Sequence, residues 1–382
     1  MIIDKKKSYT ISFLVITYIL CLIGLIFVYS SSSAFAFEKN KCANFYLNKQ
    51  AVGILLGSIA LLFARFISLK KIYKFSFIFF LFSLFLTALT IITPLGQTIH
   101  GSKRWLFFHG FGFQPSELLK VSLILYLAYF LNRKQFQLNS FVRGYLPFLT
   151  VLSVVSLILL KQPDFGQTIT LGASSFLIFY LGGCKIKHLM VTLFSSVPLV
   201  IGLIFAQPYR LKRIMTFLDP WSDPKGAGFQ IIQSLIAIGS GKLYGLGIAQ
   251  SKQKFFYLPM QHTDFVFSII AEETGFIGCF AIISLYLTYL YVGFKLSTFV
   301  ESTFCKSVIL GFIILINLQV LINLCVTTGL LPTKGIGLPF ISYGKSAIIC
   351  NLFMVGILLN CLKNEKELES LDTTLAYSGH SR

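Results

Sequence analysis

The stretch SVILGFIILINLQVLINLCVTT (307–328) runs for 22 residues without a single charged side chain. As a helix it is ~33 Å long, enough to cross a hydrocarbon layer of ~30 Å. Comparable apolar runs recur on either side of it, near 340–362 and 265–294, then 189–207, 166–183, 144–160, 117–132, 74–93, 51–69 and 11–30. They are solidly apolar and do not alternate, which predicts helices and excludes a barrel. The expected fold is all-α, a polytopic membrane protein of about ten transmembrane helices in a single membrane domain over 1–382. Composition agrees: 55% of the 382 residues are apolar and only 12% charged, too few to clothe a soluble domain of this length.

Lys5-Lys6-Lys7 followed by an apolar run imitates a signal peptide. The run 11–30 exceeds the roughly 7–15 residues of a signal core, so it reads as an uncleaved first span. An even number of crossings puts both termini on one side. Basic residues cluster there, at Lys5 to Lys7, Arg65 to Lys74, Arg133 to Arg143, Lys185 and Lys187, Lys295 and Lys306, and Lys363 and Lys366. The opposite short loops carry about half as many, so the termini are expected to be cytoplasmic. The net charge of +19 is spread among these loops, so it points to lipid headgroups and not to nucleic acid. Eight scattered cysteines with no CxxC pair imply neither a metal site nor a disulfide framework.

The largest stretch that does not span is 208–264, expected on the outer face. Within it, 229–238 is apolar but too short to cross and reads as a helix lying at the interface. Loops of this length in a compact protein are usually functional. The acidic end from 363 to 382, with Glu365 and Glu367, reads as a short disordered cytoplasmic tail.

Only 14 residues are acidic, few enough to sort one by one. Asp4, Glu301 and the tail acids fall on the cytoplasmic side, and Glu38 stands among lysines as a solvated charge. Glu117, Asp164, Asp219, Asp223, Asp264, Glu272 and Glu273 remain, on the outer face or within the membrane. An ionisable group in the membrane is costly, and its default reading is functional. Asp264, in QHTDF (261–265), stands where the long loop meets the eighth span. Partial burial there raises a carboxyl into a useful range, so Asp264 is the candidate general base, with His262 and Thr263 beside it to orient it or a hydroxyl. Thr263 or Asp264 would serve equally as the N-cap of that helix. The segment alone leaves both roles open. Glu272 lies about 80° around and ~12 Å along the helix from Asp264, and Glu273 is on the opposite face. That is too far for a close carboxylate pair, so both read as interhelical partners for basic or polar groups.

In GSKRWLFFHGFGFQPSELLK (101–120), Glu117 and Lys120 share one face of the fourth span and can pair. Trp105 reads on its own as an aromatic-belt anchor. Asp164, in KQPDFGQT (161–168), is placed to cap the sixth span. Basic residues of the outer loops, among them Arg104, Arg210 and Lys334, suit a pyrophosphate headgroup. Contact with ordinary lipid explains most of them equally well.

Three blocks, FLDPWSDPKGAGFQIIQSLIAIGSG (217–241), GIAQSKQKFFYLPMQHTDFVFSIIAEETGF (247–276) and GLLPTKGIGLPFISYGKSA (329–347), strongly resemble the SEDS family of bacterial cell-wall proteins. GSKRW, QPSELLK and QPDFGQT match further motifs of the family in the expected order, so the resemblance covers nearly the whole chain. LPTKG and the stretch before HTDF are closer to the cell-division members than to the elongation members. The resemblance implies a peptidoglycan glycosyltransferase that polymerises lipid II in septal wall synthesis. It would work in the bacterial cytoplasmic (inner) membrane, with its active site on the outer face. Implied partners are lipid II, a class B penicillin-binding protein transpeptidase, other divisome proteins and membrane lipids, with no nucleic acid. The Asp of HTDF, here Asp264, is the family's catalytic position. Trp105, Glu117 and Lys120 match further functional positions, and Lys334 and Ser342 fall in the third block. A divalent cation is a candidate aid to the departing pyrophosphate, with no ligands that the sequence names. Two departures stand out: Met260 replaces an acid, and Gly344-Lys345-Ser346 replaces Gly-Gly-Ser, adding a cation near the mouth of the tenth span. A lipid II flippase and a non-catalytic divisome scaffold are the competing readings.

Overall fold

The computed structural model describes residues 2–93, 96–99, 102–108, 111–205, 208–226, 228–253 and 261–368. Its helices are α1 (Ile2–Asn40), α2 (Phe45–Phe66), α3 (Leu69–Ile92), α4 (Pro115–Lys134), α5 (Leu146–Lys161), α6 (Phe165–Leu181), α7 (Ile186–Phe205), α8 (Pro208–Leu218), α9 (Phe229–Ser240), α10 (Val266–Ser297), α11 (Thr303–Thr327) and α12 (Lys345–Asn364). Seven of these, α1, α2, α3, α5 with the turn before it, α10, α11 and α12, are long and apolar enough to cross a membrane. The other three expected spans coincide with α4, α6 and α7. Of these, α4 carries Glu117, Lys120, Arg133 and Lys134, and α6 has only 17 residues. The chain is an all-α polytopic membrane protein. Because α10 begins beside 261–265 and ends near the tail, the bundle has a loop end, with α8 and α9, and an opposite tail end.

Packing between α2 and α12 is set by glycine. Gly53 and Gly57 form a GxxxG step, and a Cβ on Gly57 would meet Leu352 Cδ1 at 2.6 Å. From the other side, a Cβ on Gly356 would meet the Leu61 carbonyl oxygen at 2.3 Å. Small residues let helix backbones approach in lipid, where dispersion and not the hydrophobic effect holds them together. Among the spans, α12 and α11 are the most enclosed, and α2 and α3 turn most of their surface outward.

Helix α10 is broken at Gly275 (φ +64°). Broken backbone at membrane depth must find partners inside the protein. It does so on residues 242–247: Phe276 N–H donates to the Lys242 carbonyl (2.9 Å), Leu246 N–H to that of Glu272 (2.9 Å) and Gly247 N–H to that of Glu273 (3.0 Å). Gly245 has φ +79°, and a Cβ there would stand 2.2 Å from the Glu273 carbonyl oxygen. Gly245→Ala should therefore destabilise the protein by at least ~1–3 kcal/mol, the range for a non-glycine residue in this backbone region. Detergent-solubilised unfolding compared with wild type checks this.

Three features differ from the sequence reading. Between α3 and α4 lies a small antiparallel sheet of β1 (Gly96–Ile99), β2 (Ser102–Phe108) and β3 (Phe111–Phe113), with Gln97 opposite Trp105 and Phe107 opposite Gly112. Aromatic residues interleaved with glycine favour short paired strands here, and the sheet gives Arg104 and Trp105 a fixed platform. Secondly, α9, read as a helix at the interface, packs one face on the bundle. Its Ile231, Ile232, Ser234 and Ala237 are buried, and Ser234 Oγ donates to the Thr327 carbonyl at 2.6 Å, docking α9 on α11. Thirdly, the beginning of the tail is ordered. The Glu365 carboxylate accepts from the backbone N–H groups of Glu301 and Ser302, and that of Glu367 from Leu69 N–H (2.9 Å) and Ser68 Oγ (3.0 Å). These acids satisfy the open amides at the starts of α11 and α3, where the helix dipole also favours a negative charge.

Candidate active site

At the loop end the bundle opens into a cavity of about 730 Å³. Its walls bring together Arg104, Trp105, Glu117, Lys120, Thr263, Asp264, Lys334 and Ser342, eight of the residues singled out from the sequence. They come from five separate stretches of chain, and a backbone lattice holds them. Asn323 on α11 donates from Nδ2 to the carbonyls of Asp264 (2.8 Å) and Ile336 (2.7 Å). Ser342 Oγ donates to the Thr263 carbonyl (2.5 Å) and accepts from Leu338 N–H (2.7 Å). Tyr343 N–H donates to the His262 carbonyl at 2.9 Å. Residues 262–264 are thus stitched to 336–343, so Ser342 fixes the loop as well as lining the cavity.

The Asp264 side chain does not cap α10, whose N-cap is Phe265 with no side-chain bond. Among the described residues its carboxylate receives no hydrogen bond. A Cβ on Gly335 would stand 3.2 Å from Asp264 Oδ2, so glycine at that position keeps one face of the carboxylate clear. Burial pushes the Asp264 carboxyl up to about 7, with Arg104 opposing and Asp164 assisting. Asp164 does cap α6, accepting from Gln167 N–H at 3.2 Å, and its Oδ2 lies 3.6 Å from Arg104 Nε. Burial raises the Asp164 carboxyl too, against the pull of Arg104. Arg104 itself is anchored by donating to the carbonyls of Pro163 (2.6 Å) and Gln162 (3.3 Å).

Deeper in the cavity, Lys120 Nζ is 2.6 Å from Glu117 Oε2, and Gln167 Nε2 donates to Glu117 Oε1 at 2.9 Å. All three side chains are buried. On the same cavity, burial and the neighbouring Arg213 lower the Lys334 ammonium to about 8, against the pull of Asp164. Lys345, the residue that departs from the family pattern, lines the same cavity, as does Lys49 from α2.

One expectation changes. The His262 ring does not line the cavity but packs against Tyr46 (centroids 4.6 Å), Tyr343 (5.6 Å) and Phe35 (5.8 Å). Burial, with Lys39 adding, lowers it to about 4, so it is a neutral aromatic spacer and not a partner of Asp264. Glu272 and Glu273 find polar partners, as their place in an apolar helix led one to expect: Glu273 accepts from Ser30 Oγ on α1 (2.6 Å), and Glu272 from Ser251 Oγ and Lys252 N–H. The side chain of Arg210, on α8, and all of Met260 lie outside the described residues.

The sequence reading passed over Gln167, Gln319 and Asn351, which also line the cavity. Each is an amide inside an apolar helix, a signal that the sequence carries but that is weaker than an ionisable group's. Gly335 and Gln230 carried no signal that spacing reveals. For a divalent metal the donor set does not fit. No group of three or more His, Cys, Asp or Glu comes together among the described residues, and Arg104 already acts on both Asp164 and Asp264.

A helical bundle with a carboxylate-and-cation cavity at one end defines a polytopic membrane protein with a polar site open to one face. Residues 11–367 match the FtsW/RodA/SpoVE family of cell cycle proteins, and the chain belongs to that family. It is 40% identical over 356 residues to a probable peptidoglycan glycosyltransferase FtsW of Geobacter sp. (strain M18), covering 93% of this chain and 97% of the relative. It is 39% identical to stage V sporulation protein E of Bacillus subtilis (strain 168), over 93% of this chain and 97% of the relative. A chain solved for the structural coordination of polymerization and crosslinking by a peptidoglycan synthase complex superposes with a TM-score of 0.76 at 30% identity, covering 92% of this chain and 97% of the other. The rod shape determining protein RodA of Thermus thermophilus gives 0.69 at 25% identity, covering 92% and 96%.

Proposed function

We propose that this protein is a peptidoglycan glycosyltransferase that polymerises lipid II into glycan strands during septal wall synthesis, with Asp264 as general base. The observation that carries the reading is the Asp264 carboxylate, bare of hydrogen bonds among the described residues, on the wall of a cavity that also holds Arg104, Arg213, Lys334 and Lys345. Asp264 takes the proton from the 4-hydroxyl of the acceptor sugar as that oxygen attacks the anomeric carbon of the donor. The C–O bond to polyprenyl pyrophosphate breaks in the same displacement. Arg104, Arg213 and Lys334 meet the charge that develops on the leaving group. Arg104 is held in place before the reaction by the carbonyls of 162 and 163, so little reorganisation is needed when the charge appears. The loop end faces outward in this reading, with both termini in the cytoplasm, and the partner is a crosslinking transpeptidase of the class B penicillin-binding type. The whole chain acts as a single membrane domain.

The test is polymer formation from lipid II by the purified protein with its transpeptidase partner, with no transport step available. Glycan strands are expected. Lipid II translocation across vesicles without polymer would favour a flippase instead. Depletion should give filamentous cells without septa, and rounded cells would assign the protein to elongation. His262→Phe is expected to keep polymerisation within about twofold, because the ring contributes packing and not proton transfer. A loss comparable to that of Asp264→Asn would return His262 to the chemistry.

A further inference from the structure

At the tail end, away from the cavity described above, a groove of about 450 Å³ opens between α6, α10 and α11. Its apolar walls are Leu181, Tyr291, Phe294 and Leu310. The first three are 49%, 54% and 39% exposed, so the groove faces outward from the bundle and not into it. Its rim carries Lys295 in the last turn of α10 and Lys306 in the first turn of α11. Apolar wall and charged rim therefore meet at the ends of spanning helices, the depth at which lipid headgroups begin. Both lysines are exposed, and neither reaches an acid within ion-pair distance among the described residues. Of the two acids at the start of α11, Glu365 is engaged by the amides of Glu301 and Ser302, and the Glu301 side chain forms no ion pair with either lysine among the described residues. Lys295 Nζ lies 5.7 Å from the centroid of the Tyr291 ring, one of the groove's walls, which keeps the ammonium at the groove.

We propose that this groove binds an acidic glycerophospholipid, its phosphate held between Lys295 and Lys306 and an acyl chain laid along Leu181, Phe294 and Leu310. Two cations with no counter-acid select net negative charge, which a zwitterionic headgroup lacks. The length of apolar wall beneath them selects an amphiphile over a free anion. The site stands apart from the polymerisation reading and does not depend on it.

Native mass spectrometry of the purified full-length protein in detergent tests this, with dioleoyl phosphatidylglycerol and dioleoyl phosphatidylcholine offered in equal amounts. At about 1 kcal/mol per lysine near a membrane surface, retention of phosphatidylglycerol should be roughly 10–30-fold favoured. Lys295→Gln with Lys306→Gln should bring it down to the level of phosphatidylcholine. Lys70→Gln with Lys71→Gln, exposed charges on α3 at the same end, should leave it unchanged. Equal binding of the two lipids by wild type, persistence in the Lys295/Lys306 variant, or equal loss in the Lys70/Lys71 control would each overturn the site. Undecaprenyl phosphate displacing phosphatidylglycerol from wild type but not from the Lys295/Lys306 variant would overturn the assigned occupant.

Discussion

Asp264→Asn is expected to lower the polymerisation rate by about 10²–10⁴-fold, the contribution typical of a positioned general base, while the purified protein remains folded and bound to its partner. Asparagine is nearly isosteric. The lattice that holds residues 262–264 uses main-chain groups and the side chains of Asn323 and Ser342, not the Asp264 carboxylate. Structure should therefore survive where chemistry does not. Near-normal polymer from the variant would remove Asp264 from the base role. A sharper readout is the pH profile. The base must be ionised, so with the carboxyl pushed up to about 7 the rate should rise with pH through about 7 and level off above it. Burial sets that position, Arg104 lowers it and Asp164 raises it. Arg104→Gln should therefore move the acid limb of kcat/KM to higher pH, and Asp164→Asn to lower pH. A limb that stays put in both variants would mean that another group titrates there.

How much of this was readable before the fold was known differs by feature. Span positions followed from long apolar runs, because lipid permits few alternatives to a helix. Asp264 and the Glu117–Lys120 pair emerged because ionisable groups are scarce in such a chain. His262 misled because adjacency in sequence to Asp264 says nothing of direction. A turn places its ring among Phe35, Tyr46 and Tyr343 instead. The sheet before α4 was hidden because strands of three to seven residues leave little periodicity. Glu365 and Glu367 looked like a solvated tail because the amides they cap belong to residues some 60 and 300 positions away in sequence. Likewise the pairing of 242–247 with a broken α10 depends on glycines that sequence reading could only mark as turns.

The second large effect lies beneath the carboxylate. Lys120 and Glu117 form an ion pair with 3% and 8% of their side chains exposed. Removing one member leaves a buried charge without its partner, which typically destabilises by about 3–5 kcal/mol. Glu117→Ala and Lys120→Ala should each show a loss of that size in equilibrium unfolding of the detergent-solubilised protein. Glu117→Gln should fall between Ala and wild type, since it still accepts from Gln167 Nε2 but no longer neutralises Lys120. Replacing both by methionine removes the two charges together, and such pairs are often neutral or better for stability. Stability should then recover while Gln167 loses its acceptor, a smaller cost of ~1–3 kcal/mol. Activity separates the two roles of the pair. If the methionine pair recovers stability and polymerisation together, Glu117 and Lys120 serve only the fold. If stability returns and polymerisation does not, the pair acts on the substrate, which is the outcome expected from its place on the cavity wall. A single variant cannot make this distinction, because unfolding and lost chemistry would both read as an inactive protein.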